Sequence, residues 1–428
     1  MGRIHSSVLT CLLLVTRVEA RPLTVEDAVN LAKSASPRLS AVDEDALAAG
    51  DDARSARGRL LPSVHLSDEY QRWDSAFSAP LGANGAALVV RDAQTNTFVA
   101  ALDQPIVGLL RTSEDYRSAR ARRSATGARA KTELADVTQA VETYFLRHFE
   151  ARTMQDIAHA SEVQLQEQVT VARSRLNAGV LTTADVLRAE VALANARQQE
   201  IFSRSDGNVA RAQLFGVIGV PNDPTIELVE PRALLDRSET PLPVLPDAER
   251  VAIRARPEML ELAQSTAAAE HHQRALEYSL LPEIDFEASY VRSDGQLFAL
   301  PNAELVGLRA SWTIWEWGAS WYQMRSAQHA ANAQRLRLAD EQRRVATDVE
   351  SRLSEAAAAA SAVEIARTTI VSAEEAYRVT ASQQQHGVAT TTDLLDAQSA
   401  LTTARLNFAR ARYELAVARV ALVRAMGE

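Results

Sequence analysis

The residues best placed for chemistry are two aspartates, Asp393 and Asp396, in the run Gly387-Val388-x-Thr390-Thr391-x-Asp393-x-Leu395-x-Ala397. Carboxylates gathered in one place attract cations and bind multivalent ones hard. A carboxylate three residues after a threonine also closes a helix cap, where exposed amides and the helix dipole favour its charge. A matching run occurs earlier, Gly179-Val180-x-Thr182-Thr183-x-Asp185-x-Leu187-x-Ala189, and it separates the two aspartates. Asp393 has a twin in Asp185 at the same cap position, so the cap alone accounts for it. Asp396 has Arg188 as its counterpart, so helix architecture does not ask for a carboxylate there. His271 and His272 are candidate ligands by type, but adjacent residues on a helix point apart, and we place both toward solvent. No nucleophile, metal cluster or phosphate loop stands out. The sequence therefore supports neither an enzyme nor a cofactor nor a metal.

The elements that carry these runs come in two copies. Leu60-Leu61-Pro62 returns as Leu280-Leu281-Pro282, and Ala28 with Pro37 returns as Ala248 with Pro257, at an offset of 220 in the numbering. The Gly-Val-x-Thr-Thr runs are offset by only 208, which places an insertion in copy one. A duplication of this length implies tandem pseudo-symmetric packing. We divide the chain into residues 21–220 and 247–428 as the repeats, with 221–246 as a Pro-rich linker.

Each copy ends in a long stretch that nothing need break. All 14 prolines avoid residues 106–220 and 302–428, and six of them crowd between Pro221 and Pro246. Gly127 is the only glycine between 109 and 178, and there is none between 319 and 386. A continuous helix from Arg111 to Ala178 would reach about 100 Å, longer than a compact domain holds. Gly179 and Gly387 suit a left-handed helix stop, and Thr182 and Thr390 restart the chain as capped helices. Each copy is thus a long helical hairpin with a tight tip. In the returning helix of copy two, Leu394, Leu401, Phe408, Leu415 and Leu422 recur every seven residues, and Ala397, Ala404, Ala411, Ala418 and Ala425 fill a second seam. That is a left-handed coiled-coil pattern. Copy one is looser, with Glu200 and Gly207 on the corresponding seam, and Ala356–Ala360 reads as helix-favouring filler in a packed wall.

Between the Leu-Leu-Pro segments and the long helices the period changes to two. Ile284, Phe286, Ala288 and Tyr290 face one way and Asp285, Glu287 and Ser289 the other; Val64, Leu66 and Tyr70 oppose His65, Ser67 and Glu69 in copy one. Second runs follow, Val306 to Ile314 and Phe98 to Ile106. Strands of about ten residues with one apolar face fit a transmembrane barrel, and Trp312, Trp315, Trp317 and Trp321 cluster where an interfacial girdle would lie. An ordinary half-buried sheet has the same pattern. Four strands cannot close a barrel and open edges are not tolerated in lipid, so several chains would share one. Segments 73–95 and 293–303 contain Gly, Pro, Asn and Asp and read as loops, the first about 12 residues longer than the second, which locates the insertion.

Composition agrees with long helices, with 5% aromatic residues and abundant alanine. Arg3, the apolar run Val8 to Val15, and the small residues Val18 and Ala20 read as a secretory signal over residues 1–20. The single cysteine, Cys11, falls inside it, so the mature chain would hold no disulfide or cysteine metal site. Lipid modification of Cys11 is disfavoured because the apolar Leu12–Leu14 follow it instead of preceding it. Loss of Arg3, Arg17 and Glu19 takes the formal charge from −9 to −10, a poor balance for binding nucleic acid.

The doubled Gly-x-x-Thr-Thr-x-Asp-x-Leu-x-Ala runs, Leu-Leu-Pro, Gln104-Pro105-Ile106, and the closing segments Leu214–Gly219 and Leu422–Gly427 resemble the TolC family of outer membrane efflux proteins. The resemblance covers essentially the whole chain from Leu23 to Gly427. It implies a mainly α fold with a transmembrane β part, and a homotrimer in which each chain lends four strands to a 12-stranded barrel continued by a helical tunnel through the periplasm. It also implies an equatorial belt, to which 221–246 would contribute, and a site in the cell outer membrane. The partners implied are outer membrane lipid, a periplasmic adaptor and an inner membrane transporter. By the same resemblance Asp393 and Asp396 line the periplasmic entrance, each as a ring of three carboxylates, and Gly179, Val180, Gly387 and Val388 are adaptor contacts. Where the best-known form of the family locks that entrance with a tyrosine and an arginine, this chain has Gln384 and Ala389, which puts a similar lock in doubt. The expected function is the exit duct of a tripartite efflux system. The duct of a one-step protein secretion machine is the alternative. A periplasmic adaptor is disfavoured by the second hairpin, and a soluble coiled-coil scaffold by the strands and tryptophans.

Overall fold

The computed structural model describes residues 22–81 and 86–427; the expected signal segment, with Cys11, lies outside them. The elements follow twice in the same order. Helices α1 (Val25–Ala35) and α2 (Pro37–Gly58) lead to strands β1 (Ser63–Arg72), β2 (Phe77–Leu81) and β3 (Ala86–Pro105), then to α3 (Gly108–Asn177) and α4 (Thr183–Ile218). After α5 (Arg232–Ser238), helices α6 (Leu245–Ala255) and α7 (Pro257–Tyr278) lead to β4 (Glu283–Gln296) and β5 (Asn302–Ser311), then to α8 (Ala319–Gln385) and α9 (Thr391–Met426). The long proline-free stretches are therefore single helices of 70 and 67 residues. None of the described helices is long and apolar enough to cross a membrane.

Proline sets the first break in each copy. Ser36 and Arg256 take extended backbone, ψ 117° and 125°, because the pyrrolidine of the following proline disfavours a helical residue before it. Pro37 and Pro257 then open α2 and α7, where a missing amide hydrogen goes unused.

Packing groups the chain into two units, each drawing segments from both repeats. The first comprises, of the described residues, 22–37, 136–242 and 352–424. Its largest fully buried side chains include Val141, Phe145, Leu146, Leu214, Phe215, Ile218 and Leu422. Leu235 of α5 is buried with them, and the linker is tied in where Leu23 pairs in parallel with Leu228. The α9 heptad faces inward as expected. Leu394, Leu401, Leu415 and Leu422 are buried, and Phe408 is half-buried against Val363, Ala411 and Leu415.

The second unit comprises, of the described residues, 38–81, 86–135, 243–351 and 425–427. Ala248, Ala252, Met259, Val345, Val349 and Ala425 form one of its apolar clusters. It also holds the only sheet among the described residues, antiparallel in the order β1-β3-β4-β5 with β2 paired to β3. Four strands were expected and five are present. The segment 73–95, expected as a loop, instead forms β2 and the first half of a 20-residue β3. Alternating apolar residues outweigh its turn residues, and Pro80 is accommodated because β2 pairs on one side only. At the other end β5 stops at Ser311, leaving Trp312 and Ile314 beyond the strand.

Register decides what the sheet presents. Val64 pairs with Leu102 and Leu66 with Ala100; Leu102 and Gln104 pair with Ala288 and Phe286, which in turn pair with Val306 and Leu308. Directly paired residues share a face, so these side chains, Gln104 apart, make one apolar surface across the four strands. The other face carries His65, Asp103, Glu287 and Arg309, with Arg309 and Glu287 ion-paired at 2.7 Å.

Candidate functional site

At the two hairpin tips the chain turns in the same way. Gly179 and Gly387 have φ +75° and +76°. Val180 donates to the Arg175 carbonyl and Gly179 to that of Leu176; Val388 and Gly387 repeat this toward Gln383 and Gln384. These crossed bonds satisfy the last carbonyls of α3 and α8 and require a left-handed residue at the glycine. Val180 and Val388 stand exposed beside them.

The returning helices begin with full capping boxes. The Thr390 hydroxyl and amide donate to Asp393 Oδ2 at 2.7 and 2.8 Å, and the Asp393 amide donates back to the hydroxyl at 3.1 Å. Thr182 and Asp185 do the same at 2.7, 3.1 and 3.3 Å. The Thr390 hydroxyl, then its amide, hold the Asp393 carboxyl below its ordinary value, and Thr182 does so for Asp185. Asp393 is thus exposed, ionised and engaged by the cap. Asp396, a turn further along, is also exposed, and among the described residues no cap, hydrogen bond or ion pair engages it.

Arg188, which occupies the position of Asp396 in copy one, reaches 3.6 Å from Asp185 and donates to the Thr392 hydroxyl at 2.9 Å. Sequence reading missed this link from one tip to the other, which joins residues 204 apart. It also missed Gln398, fully buried on α9, whose Nε2 lies 3.4 Å from Gln164 Oε1 while its own Oε1 has no partner.

Trp312, Trp315, Trp317 and Trp321 are exposed; the first three fall between the end of β5 and the start of α8, and Trp321 lies in the first turn of α8. Trp315 and Trp317 meet edge to face at 5.7 Å, and Trp312 donates to the Leu280 carbonyl at 3.3 Å. Trp317 has φ +57° beside Gly318 at +81°, a left-handed pair that turns the chain into the helix.

The expectation that His271 faces solvent is corrected. Its Nδ1 lies 2.5 Å from Oε2 of Glu114, a carboxylate buried on α3, which Arg117 also contacts at 2.6 Å; His272 is exposed. Burial alone would raise the Glu114 carboxyl, but the His271 imidazole and the Arg117 guanidinium override it and hold it below its ordinary value. A lowered folded value contributes stability above the unfolded pKa, lost as pH falls through the folded one. His271→Ala removes the chief stabilising partner, so the acid-induced loss of helical circular dichroism is expected at higher pH. An unmoved transition would show the pair to be energetically idle.

Comparison with known proteins adds a family. The family model described as outer membrane efflux protein matches residues 28–220 and 250–428. The outer membrane efflux protein BepC of Brucella suis is 27% identical over 292 residues, 68% of this chain and 62% of that protein; the chain thus spans under two thirds of that relative. The alkaline protease secretion protein AprF of Pseudomonas aeruginosa is 22% identical over 97% of this chain and 86% of its own. The solved structure of the outer membrane protein VceC of Vibrio cholerae superposes with a TM-score of 0.81 at 14% identity, over 94% of this chain and 96% of that one. The mainly helical fold with its small antiparallel sheet is that of such outer membrane proteins.

Proposed function

The chain belongs to the outer membrane efflux protein family, and on that premise we propose that it is the exit duct of a tripartite efflux system. It conducts substrate passively across the cell outer membrane and is not an enzyme. One observation carries the reading further: the sheet has a mostly apolar face and two open edges, β1 and β5. Lipid accepts the face but not the edges, whose unpaired amides and carbonyls each cost several kcal/mol there. Copies of the chain close the edges on one another. With three copies, β1, β3, β4 and β5 of each supply a 12-stranded barrel, lipid outside and the Glu287–Arg309 face inside, with the tryptophans at the interface.

In this reading residues 1–20 are removed on export, 21–220 and 247–428 are the repeats, and 221–246 contributes to an equatorial belt. The long helices of three chains form the periplasmic tunnel. Gly179, Val180, Gly387 and Val388 meet an adaptor that couples the duct to an inner membrane transporter. Asp393 and Asp396 ring the entrance. The test is the reversal potential of the purified protein in a planar bilayer under a salt gradient. Cation selectivity supports the duct, whereas recovery as a soluble periplasmic protein without conductance discards it.

A second reading, the duct of a one-step protein secretion machine, is favoured by the likeness to AprF over 97% of this chain. Deleting the protein from its own cells separates the two. Efflux predicts raised sensitivity to small toxic compounds, and secretion predicts a protein missing from the medium with sensitivity unchanged.

A further inference from the structure

The first hairpin holds a second cluster of charge that the duct does not use. His159 and Glu162 lie one turn apart on the same face of α3, and α4 brings Glu200 against them. His159 Nδ1 is 3.2 Å from Glu200 Oε2, and one potential ligand atom from each of the three residues lies within 4.8 Å of the others. Arg197 donates to Glu162 Oε1 at 2.8 Å and to Gln166 at 2.8 Å, which holds the Glu162 carboxylate in place beside Glu200. The Glu200 and Glu162 side chains are only 21% and 24% exposed, while His159 is 63% exposed. Two carboxylates converging where water is partly excluded repel each other, a repulsion that a cation or a shared proton between them relieves.

The repeat shows that the fold does not require this trio. At an offset of 208, hairpin two has Arg367, Ile370 and Phe408, and Phe408 packs against Val363, Ala411 and Leu415. An apolar seam therefore satisfies the same helix pair at this level, and hairpin one departs from it with three metal-ligating side chains.

We propose that His159, Glu162 and Glu200 bind one divalent transition-metal ion of the zinc class, pinning α3 to α4 roughly five helical turns from the tip. One imidazole nitrogen with two carboxylates suits zinc, cobalt or nickel, whereas calcium and magnesium select all-oxygen sets. Three protein ligands leave a position for water. The ion would stiffen one hairpin of each chain and not the other.

The test is titration of the untagged, full-length purified protein with Co2+, followed by visible absorption, with Zn2+ as competitor. One Co2+ per chain, displaced by Zn2+, is expected. Glu200→Gln and His159→Ala should each weaken binding by about tenfold or more, and Glu190→Gln, on the same hairpin, should leave it unchanged. His159 is exposed enough that its replacement leaves the helices intact, which circular dichroism checks. Absence of saturable binding up to ~100 µM, or binding that both ligand variants leave unchanged, would overturn the proposal.

Discussion

Gly427→Ala and Gly219→Ala each destabilise the protein far more than Gly387→Ala or Gly179→Ala, although all four glycines have left-handed backbone. The tips, at φ +75° and +76°, have nothing within 4 Å of where a Cβ would stand. A side chain there meets only the intrinsic penalty of that conformation, about 1–2 kcal/mol. Gly219 and Gly427, both at φ +85°, stop α4 and α9 hard against the Pro-containing junctions between the short helices. A Cβ on Gly219 would stand 2.8 Å from the Ala35 carbonyl oxygen, and one on Gly427 2.6 Å from the Arg256 nitrogen and 2.8 Å from the Ala255 carbonyl carbon. These neighbours are backbone and cannot rotate away, so a helix end must shift. The expected loss is about 3–5 kcal/mol, read as a lower thermal midpoint by circular dichroism. Equal midpoints for tip and junction variants would refute the argument.

The junctions also show why the duplication was so legible. Each uses the same parts in its own unit: an extended residue before proline, and a glycine ending a long helix against it. Such signals are local in sequence, as are the Gly-x-x-Thr-Thr-x-Asp tips and the absence of proline from α3 and α8. What escaped the sequence depends on which side chains two helices bring face to face. His271 meets Glu114 across 157 positions, Arg188 meets Thr392 across 204, and Glu200 meets His159 across 41. A heptad gives the buried stripe of each helix but not its axial register against a neighbour, and a shift of one turn would replace every one of these partners. The misreading of segment 73–95 has a different cause. Its glycines and Pro80 are genuine turn formers, but β2 pairs with β3 even through Pro80.

Asp396→Ala is the substitution expected to change conduction most. Asp393 carries a structural duty, since Thr390 donates to it twice and its own amide is capped in return. Removing it would loosen the start of α9, so any change in current would mix geometry with charge. Asp396 is exposed and outside the cap, and its repeat counterpart is an arginine, so alanine there leaves the helix as it is. In the threefold assembly proposed above, the single change removes three carboxylates at one level of the pore. Their summed field concentrates cations, and a trivalent ion feels it most steeply. Asp396→Ala should therefore move the reversal potential toward zero and weaken multivalent-cation block by about tenfold or more. Asp185→Ala, which removes a cap carboxylate from the other hairpin, should do less to either. If the two variants change selectivity and block equally, the ring is not at Asp396, and the carboxylates of both tips act only as helix caps.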